Sequence, residues 1–139
     1  MQIKSLCNNL IMPTKGSEYA GAFDIYMPTA GIAGKFSMFV GLGFSAAVPI
    51  NHVALLLPRS GSGAKHGLEL HNTCGVIDSD YRGEWKAALL TKSGAAFSWE
   101  KGDRILQFLI VPVYTPVLEL VEELEATARG AGGFGSTGV

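Results

Sequence analysis

The chain has 139 residues, with 11 Lys and Arg against 12 Asp and Glu and a net charge of -1. One domain is expected, and the basic stripe of a duplex nucleic-acid binder is missing. Hydrophobic residues make up 47%, which excludes a disordered chain, while the longest apolar run, residues 108–114, is far short of the ~18 needed to span a bilayer, so no membrane partner is expected.

Glycine is in excess, at 18 residues. Each interior glycine costs a helix about 1 kcal/mol relative to alanine, so turns and strands are expected instead. Short apolar or alternating runs between turn residues predict strands over 2–6, 22–27, 35–45, 52–57, 68–70, 84–91 and 104–114. Near the start, Lys4, Asn8 and Asn9 interrupt the apolar residues, so no signal-peptide core is expected there. Cys7 and Cys74 make no disulfide framework and are read as reduced thiols of an intracellular protein. Asp78-Ser-Asp-Tyr-Arg-Gly83 lies between two apolar runs and predicts a β-hairpin with two carboxylates at its tip. The apolar run 108–113 predicts a core strand buried on both faces, with Pro112 at its end or at a bulge. Val117, Leu120, Val121 and Leu124 fit helical spacing, whereas Leu118 and Leu120 fit alternation, so this stretch stays open between helix and strand. Residues 129–139 are Gly-rich, with Phe134 the one large apolar side chain, and predict a mobile arm.

Four segments carry residues with chemistry to offer. Pro58-Arg-Ser-Gly-Ser-Gly-Ala-Lys-His-Gly67 offers a guanidinium, hydroxyls and unhindered backbone N–H groups. These are the parts of a phosphate cradle, although by itself the segment reads equally as a polar turn. It is not a Walker A loop, and without a Gly-x-Ser-x-Gly elbow Ser60 is a poor esterase nucleophile. The second segment, Asn72 to Gly83, carries Asp78 and Asp80. A carboxylate ionised at neutral pH can take a proton from water but not donate one, which suits the general base of a hydrolysis. Asp80 is read as a surface partner of Arg82. In the third, the turn Lys101-Gly-Asp-Arg104 leads into a strand whose one polar residue is Gln107; a buried amide must find partners. In the fourth, Gly130-Ala-Gly-Gly-Phe-Gly135 satisfies G-x-G-x-x-G, but too few residues follow for the helix that a dinucleotide site requires. The same arm offers Arg129 for an anion and Phe134 for a flat ring. His52, His66 and His71 show no metal-ligand spacing with one another or with the cysteines.

Taken in order, Gly21-Ala-Phe-Asp24-Ile, Pro58-Arg-Ser-Gly61, Gly75-Val-Ile-Asp-Ser-Asp-Tyr-Arg-Gly83, Gly102-Asp-Arg-Ile-Leu-Gln107 and Arg129-Gly-Ala-Gly-Gly-Phe-Gly-Ser-Thr137 resemble the five signature motifs of the trimeric dUTPases. Gly21-Ala22 stands where that family usually has Ala-Gly, and Ser62 where it has Leu. The resemblance implies an all-β fold, a jelly-roll-like distorted β-barrel over residues 1–128. It also implies a homotrimer in which the flexible arm 129–139 closes over an active site shared by three subunits. The implied reaction is hydrolysis of dUTP to dUMP and pyrophosphate by water attack on the α-phosphate, with Mg2+, which keeps uracil out of DNA and supplies dUMP for thymidylate synthesis. The implied compartment is the cytoplasm, or the host-cell cytoplasm for a viral chain.

Carried over motif by motif, Asp78 resembles the base that activates water. Arg59, Ser60, Gly61 and Gln107 resemble the phosphate-contacting set, and Arg129 the arm residue on the terminal phosphate. Asn72 and the backbone of Gly75, Val76 and Ile77 look like the uracil-reading hairpin. Tyr81 looks like the ring on deoxyribose that leaves no room for a 2'-hydroxyl, and Lys86 sits at a nucleotide-binding position. Phe134, followed by Gly135, is similar to the aromatic that covers uracil. Asp24 is expected to support the phosphate and metal site, with Mg2+ carried by the substrate phosphates rather than by direct protein ligands. Two other classes stand beside this reading: a dCTP deaminase-like enzyme of the same fold, and a regulatory, protein-binding dUTPase.

Overall fold

Alternating burial organises the described residues, 1–133 of a computed structural model, into twelve strands and one π-helical turn. The strands are β1 (Gln2–Ser5), β2 (Thr14–Lys15), β3 (Phe23–Ile25), β4 (Gly31–Ala33), β5 (Met38–Gly41), β6 (Phe44–Ala47), β7 (His52–Pro58), β8 (Leu68–Leu70), β9 (Gly75–Ile77), β10 (Lys86–Thr91), β11 (Phe97–Trp99) and β12 (Leu106–Pro112). The π-helical turn, Gly61–Lys65, follows β7. Phe134 and Gly135 lie outside the described residues.

A five-stranded sheet runs in the order β2-β3-β12-β7-β9, and a three-stranded sheet in the order β5-β10-β8. Two ribbons, β1-β6 and β4-β11, complete the architecture. All pairings are antiparallel. Ala54 and Leu56 on β7 and Leu106 and Phe108 on β12 point inward, and meet Leu68, Ala87 and Leu89 of the other sheet in one core. Phe44 and Phe108 both pack against Trp85, the latter edge to face at 5.1 Å and 82°. No helix among the described residues is long and apolar enough to cross a membrane.

Several expectations need correction. Residues 35–45 form no single strand: the chain breaks between β5 and β6 at Gly43, whose φ is +76° and whose missing Cβ makes room for Cys7 Sγ. A side chain there would be strained and crowded at once. The stretch 78–83 is not the turn of a hairpin, because β9 pairs with β7 while β10 pairs with β5 and β8. Residues 71–74 and 78–85 instead carry the chain across between the two sheets and back.

The run 108–113 is not buried on both faces. Phe108 is buried, but Leu109 and Val111 are half-buried, as are Val53, Leu55 and Leu57 beside them on β7. Within one chain, one face of this apolar sheet therefore stays only partly covered. Residues 117–124 form neither helix nor strand, and Val117, Leu118, Leu120 and Leu124 are all at least 87% exposed. These side chains find no core in their own chain.

Candidate functional site

The site-bearing residues fall into two clefts at opposite ends of β7. The first lies where the chain crosses between the sheets, and is lined by Asn72, Gly75, Val76, Ile77, Asp78, Tyr81, Trp85 and Lys86. Seven of these eight are residues singled out from the sequence, brought together by the pairing of Ala54 with Ile77 and of Lys86 with Gly41. Because β9 is the outermost strand of its sheet, its free edge leaves backbone N–H and C=O groups unpaired. The Asn72 amide nitrogen donates to the Cys74 carbonyl at 3.2 Å. Asp78 and Tyr81 are exposed.

The loop after Asp78 is held by its own main chain. Tyr81 N–H donates to the Asp78 carbonyl at 3.2 Å, and the Arg82 guanidinium donates to the Ser79 carbonyl at 2.7 Å and to the Tyr81 carbonyl at 3.1 Å. The expected Asp80–Arg82 pairing is thus replaced by bonds from Arg82 to carbonyls, which fix the loop's shape. Trp85 is the lining residue that sequence reasoning missed. It is 1% exposed, and its indole N–H has no hydrogen-bond partner among the described residues. In sequence it reads as one more apolar position at the start of a strand.

The second cleft is lined by Arg59, Gly61, Ser62, Lys65, His66, Phe97 and Arg104, among others. At its edge the buried Asp24 carboxylate joins two guanidiniums: Oδ1 is 2.8 Å from Arg59 Nε, and Oδ2 accepts from Arg104 Nη1 at 3.2 Å. Arg59 Nη1 donates to the Arg104 carbonyl at 3.0 Å. Asp103 also lines the cleft, so Arg59, Arg104 and Lys65 face Asp24 and Asp103, and the fixed charges leave a small positive excess. Arg104 was seen in the sequence as part of a turn, but its partnership with Asp24, 80 residues away, carries no local signal.

Sheet register explains this cluster. Gln107 on β12 sits opposite Asp24 on β3 and Leu57 on β7, and its amide nitrogen donates to the Pro58 carbonyl at 3.1 Å. The one polar residue of that strand thus finds its partner at the root of the Arg59 loop. Ser62 is buried, and its hydroxyl lies 2.6 Å from the Ile105 carbonyl and 3.0 Å from that of Arg59. It pins the loop to the entrance of β12. Ser60 and Gly61 are exposed.

The two clefts of one chain are far apart. Asp78 directly follows Ile77, whose partner is Ala54, and so leaves the sheet near Val53, whereas Arg59 follows the other end of β7. At about 3.3 Å per residue, the six positions between Val53 and Arg59 span about 20 Å. Arg129 is exposed and donates from Nε to the Gly132 carbonyl at 2.9 Å.

A family model described as dUTPase matches residues 8–138 of the chain. The deoxyuridine 5'-triphosphate nucleotidohydrolase of Paramecium bursaria Chlorella virus 1 is 41% identical over 138 residues, which cover 99% of this chain and 96% of the relative. That of Oryza sativa subsp. japonica is 39% identical, covering all of this chain and 81% of the relative. Among solved structures, the Staphylococcus bacteriophage 80alpha dUTPase with dUpNHpp superposes with a TM-score of 0.88 at 29% identity, over 99% of this chain and 98% of that one.

Proposed function

The chain belongs to the dUTPase family, and from that premise we propose how it works as a dUTP diphosphatase, hydrolysing dUTP to dUMP and pyrophosphate. The observation that carries the proposal is the separation of the two clefts. A base at Asp78 and a phosphate set around Arg59, about 20 Å apart along β7, cannot serve one α-phosphate within one chain. The active site is therefore composite, with the Asp78 cleft of one subunit facing the Arg59 cleft of another in a homotrimer. The partly covered apolar face of β7 and β12 and the exposed leucines of 117–124 supply surface for such an assembly.

In the first cleft, Asn72 and the free edge of Gly75, Val76 and Ile77 read uracil. A fixed row of backbone donors and acceptors that uracil satisfies is left unpaired by cytosine, which carries an amine where uracil has a carbonyl. Tyr81 packs on the deoxyribose, and Lys86 contacts the nucleotide. The Asp78 carboxylate takes a proton from water as its oxygen bonds to the α-phosphorus. The bond from that phosphorus to the bridging oxygen breaks, and pyrophosphate leaves. From the second cleft Arg59, Ser60, Gly61 and Gln107 hold the phosphates; Arg129 of the arm meets the terminal phosphate, Phe134 covers the base, and Gly135 beside it belongs to the substrate-binding set.

Both oxygens of Asp24 are engaged by guanidiniums, which suits a carboxylate supporting the phosphate site and not one ligating a cation directly. The chain's donor set thus fits a divalent cation such as Mg2+ brought in with the substrate rather than held by protein ligands; bound there it would neutralise charge on the phosphates. We place the enzyme in the cytoplasm, where Cys7 and Cys74, both free thiols, stay reduced.

Two measurements on the purified full-length protein test the reading. Pyrophosphate should be released from dUTP, and no ammonia from dCTP; ammonia release would favour the deaminase class. Mixing Asp78→Asn chains with chains lacking residues 129–139 should restore part of the activity that each lacks alone. Mixed assemblies that form yet stay inactive would overturn the shared site.

A further inference from the structure

Within the crossing loop, one glycine controls where an aromatic ring can lie. Tyr81 folds back over residue 83, so that a Cβ placed on Gly83 would sit 2.4 Å from the phenolic oxygen, 2.6 Å from Cζ and 3.0 Å from Cε2. Non-bonded carbon atoms settle near 3.5 to 4.0 Å, so the ring lies where only a residue without a side chain permits. The backbone at Gly83 is not the reason for glycine, since it is not among the positive-φ positions. The reason is space. From this position the Tyr81 hydroxyl donates to the Glu84 carbonyl at 3.1 Å. The main chain around it is fixed by the bonds from Tyr81 N–H to Asp78 and from Arg82 to Ser79 and Tyr81. When residue 83 gains a methyl group, the phenol is therefore the part that must move.

We propose that Gly83 is a specificity-determining position. Its bare Cα seats the Tyr81 ring against the main chain of residues 83 and 84, and that seat sets how much room the cleft leaves beside the sugar. The inference rests on the reading of Tyr81 as the ring against deoxyribose. Gly83 touches no substrate in this account; it acts through Tyr81. A ring lifted from its seat no longer closes the space that a 2'-hydroxyl would occupy, and it loses its bond to Glu84.

The test compares the parent with G83A, Y81A and the double variant G83A/Y81A, as full-length proteins. It measures kcat and KM for dUTP and UTP by pyrophosphate release, and thermal unfolding alongside. Y81A should lower the dUTP-to-UTP ratio of kcat/KM by about 10-fold or more. G83A should lower it by several-fold with a raised KM for dUTP, a cooperative melt being retained. The double variant should be no worse than Y81A alone, because the methyl group then has nothing to displace. A parental ratio in G83A together with a reduced one in Y81A would overturn the inference while leaving the reading of Tyr81 standing. A parental ratio in Y81A would overturn the reading itself, and the inference with it. Should G83A fail to fold, the double variant decides: recovery of a soluble, cooperatively melting protein supports the seat, and loss of fold in both overturns it.

Discussion

Replacing Asp24 by Asn removes one charge and almost no volume from the centre of the Arg59–Arg104 cluster. The carboxylate offers an oxygen to each guanidinium, at 2.8 and 3.2 Å. Asparagine offers one oxygen and one NH2 group, so one guanidinium must face a donor with its own donor. A hydrogen bond to a charged group contributes about 1.5 to 3 kcal/mol. The arginine side chains retain 34% and 42% of their exposure, so water recovers part of this, and a net loss of about 1 to 2 kcal/mol is expected. For a chain of this size that corresponds to a fall in Tm of roughly 3 to 8 °C.

The loop itself should survive, because Arg59 keeps its bond to the Arg104 carbonyl and its N–H still donates to the Ile105 carbonyl at 2.9 Å. What is lost is the aim of the guanidinium. Activity should therefore suffer more than stability, with kcat/KM for dUTP down by about 10-fold or more. Calorimetry at one fixed protein concentration, with steady-state pyrophosphate release on the same preparation, measures both. A variant as stable and as active as the parent would show that the arginines do not depend on this carboxylate, and would refute the supporting role given to it.

Asp78→Asn keeps the shape and removes the basicity, so kcat should fall by about 10² or more while dUpNHpp still binds in calorimetric titration; near-normal turnover would remove Asp78 from the role of base. Chains without residues 129–139 should fold normally but turn over slowly. Amides of the arm in the full-length protein should gain more hydrogen-exchange protection from dUpNHpp than from dUMP, and equal protection would argue against a lid that responds to the triphosphate. Ser62→Ala should cost about 1 kcal/mol in urea unfolding, since the Ile105 carbonyl keeps its bond from Arg59 N–H and only the hydroxyl's own bond is lost. A loss above about 3 kcal/mol would mean that the loop is anchored at Ser62 alone.

Local chemistry was legible in the sequence where it depended on contiguous residues. Asn72, the 75–78 run, Tyr81 and Lys86 do share one cleft, and Arg59 and Gly61 share the other. The apolar run of β7 and the alternating Leu-Glu-Leu of β8 lie nearly to the residue where the sequence places strands. The short strands β2, β4, β9 and β11 were missed because two or three residues carry little periodic signal of their own. They exist only through partners distant in sequence, as Phe97 pairs with Ala33. The hairpin expected at 78–83 failed for a related reason: turn residues announce a reversal of direction but not which strand the chain joins next. Arg104 and Trp85 were overlooked as site residues because what marks them, a buried carboxylate in one case and an unpartnered N–H in the other, arises only once the sheets are assembled.

In the proposed composite enzyme, β7 would act as a ruler between neighbouring active sites. One end of the strand sets the Asp78 loop and the other carries the arginine loop, which would belong to two different sites, with the spacing fixed by seven consecutive pairings to β12. Inserting one residue in the middle of β7 would shift one end against the other by about 3.3 Å and turn every following side chain to the opposite face. The inward-facing Leu56 would exchange places with an outward neighbour. One local change would thus be felt in both clefts and in the core at once, so tolerance to length change should be lowest in β7, although residues 53–57 line neither cleft.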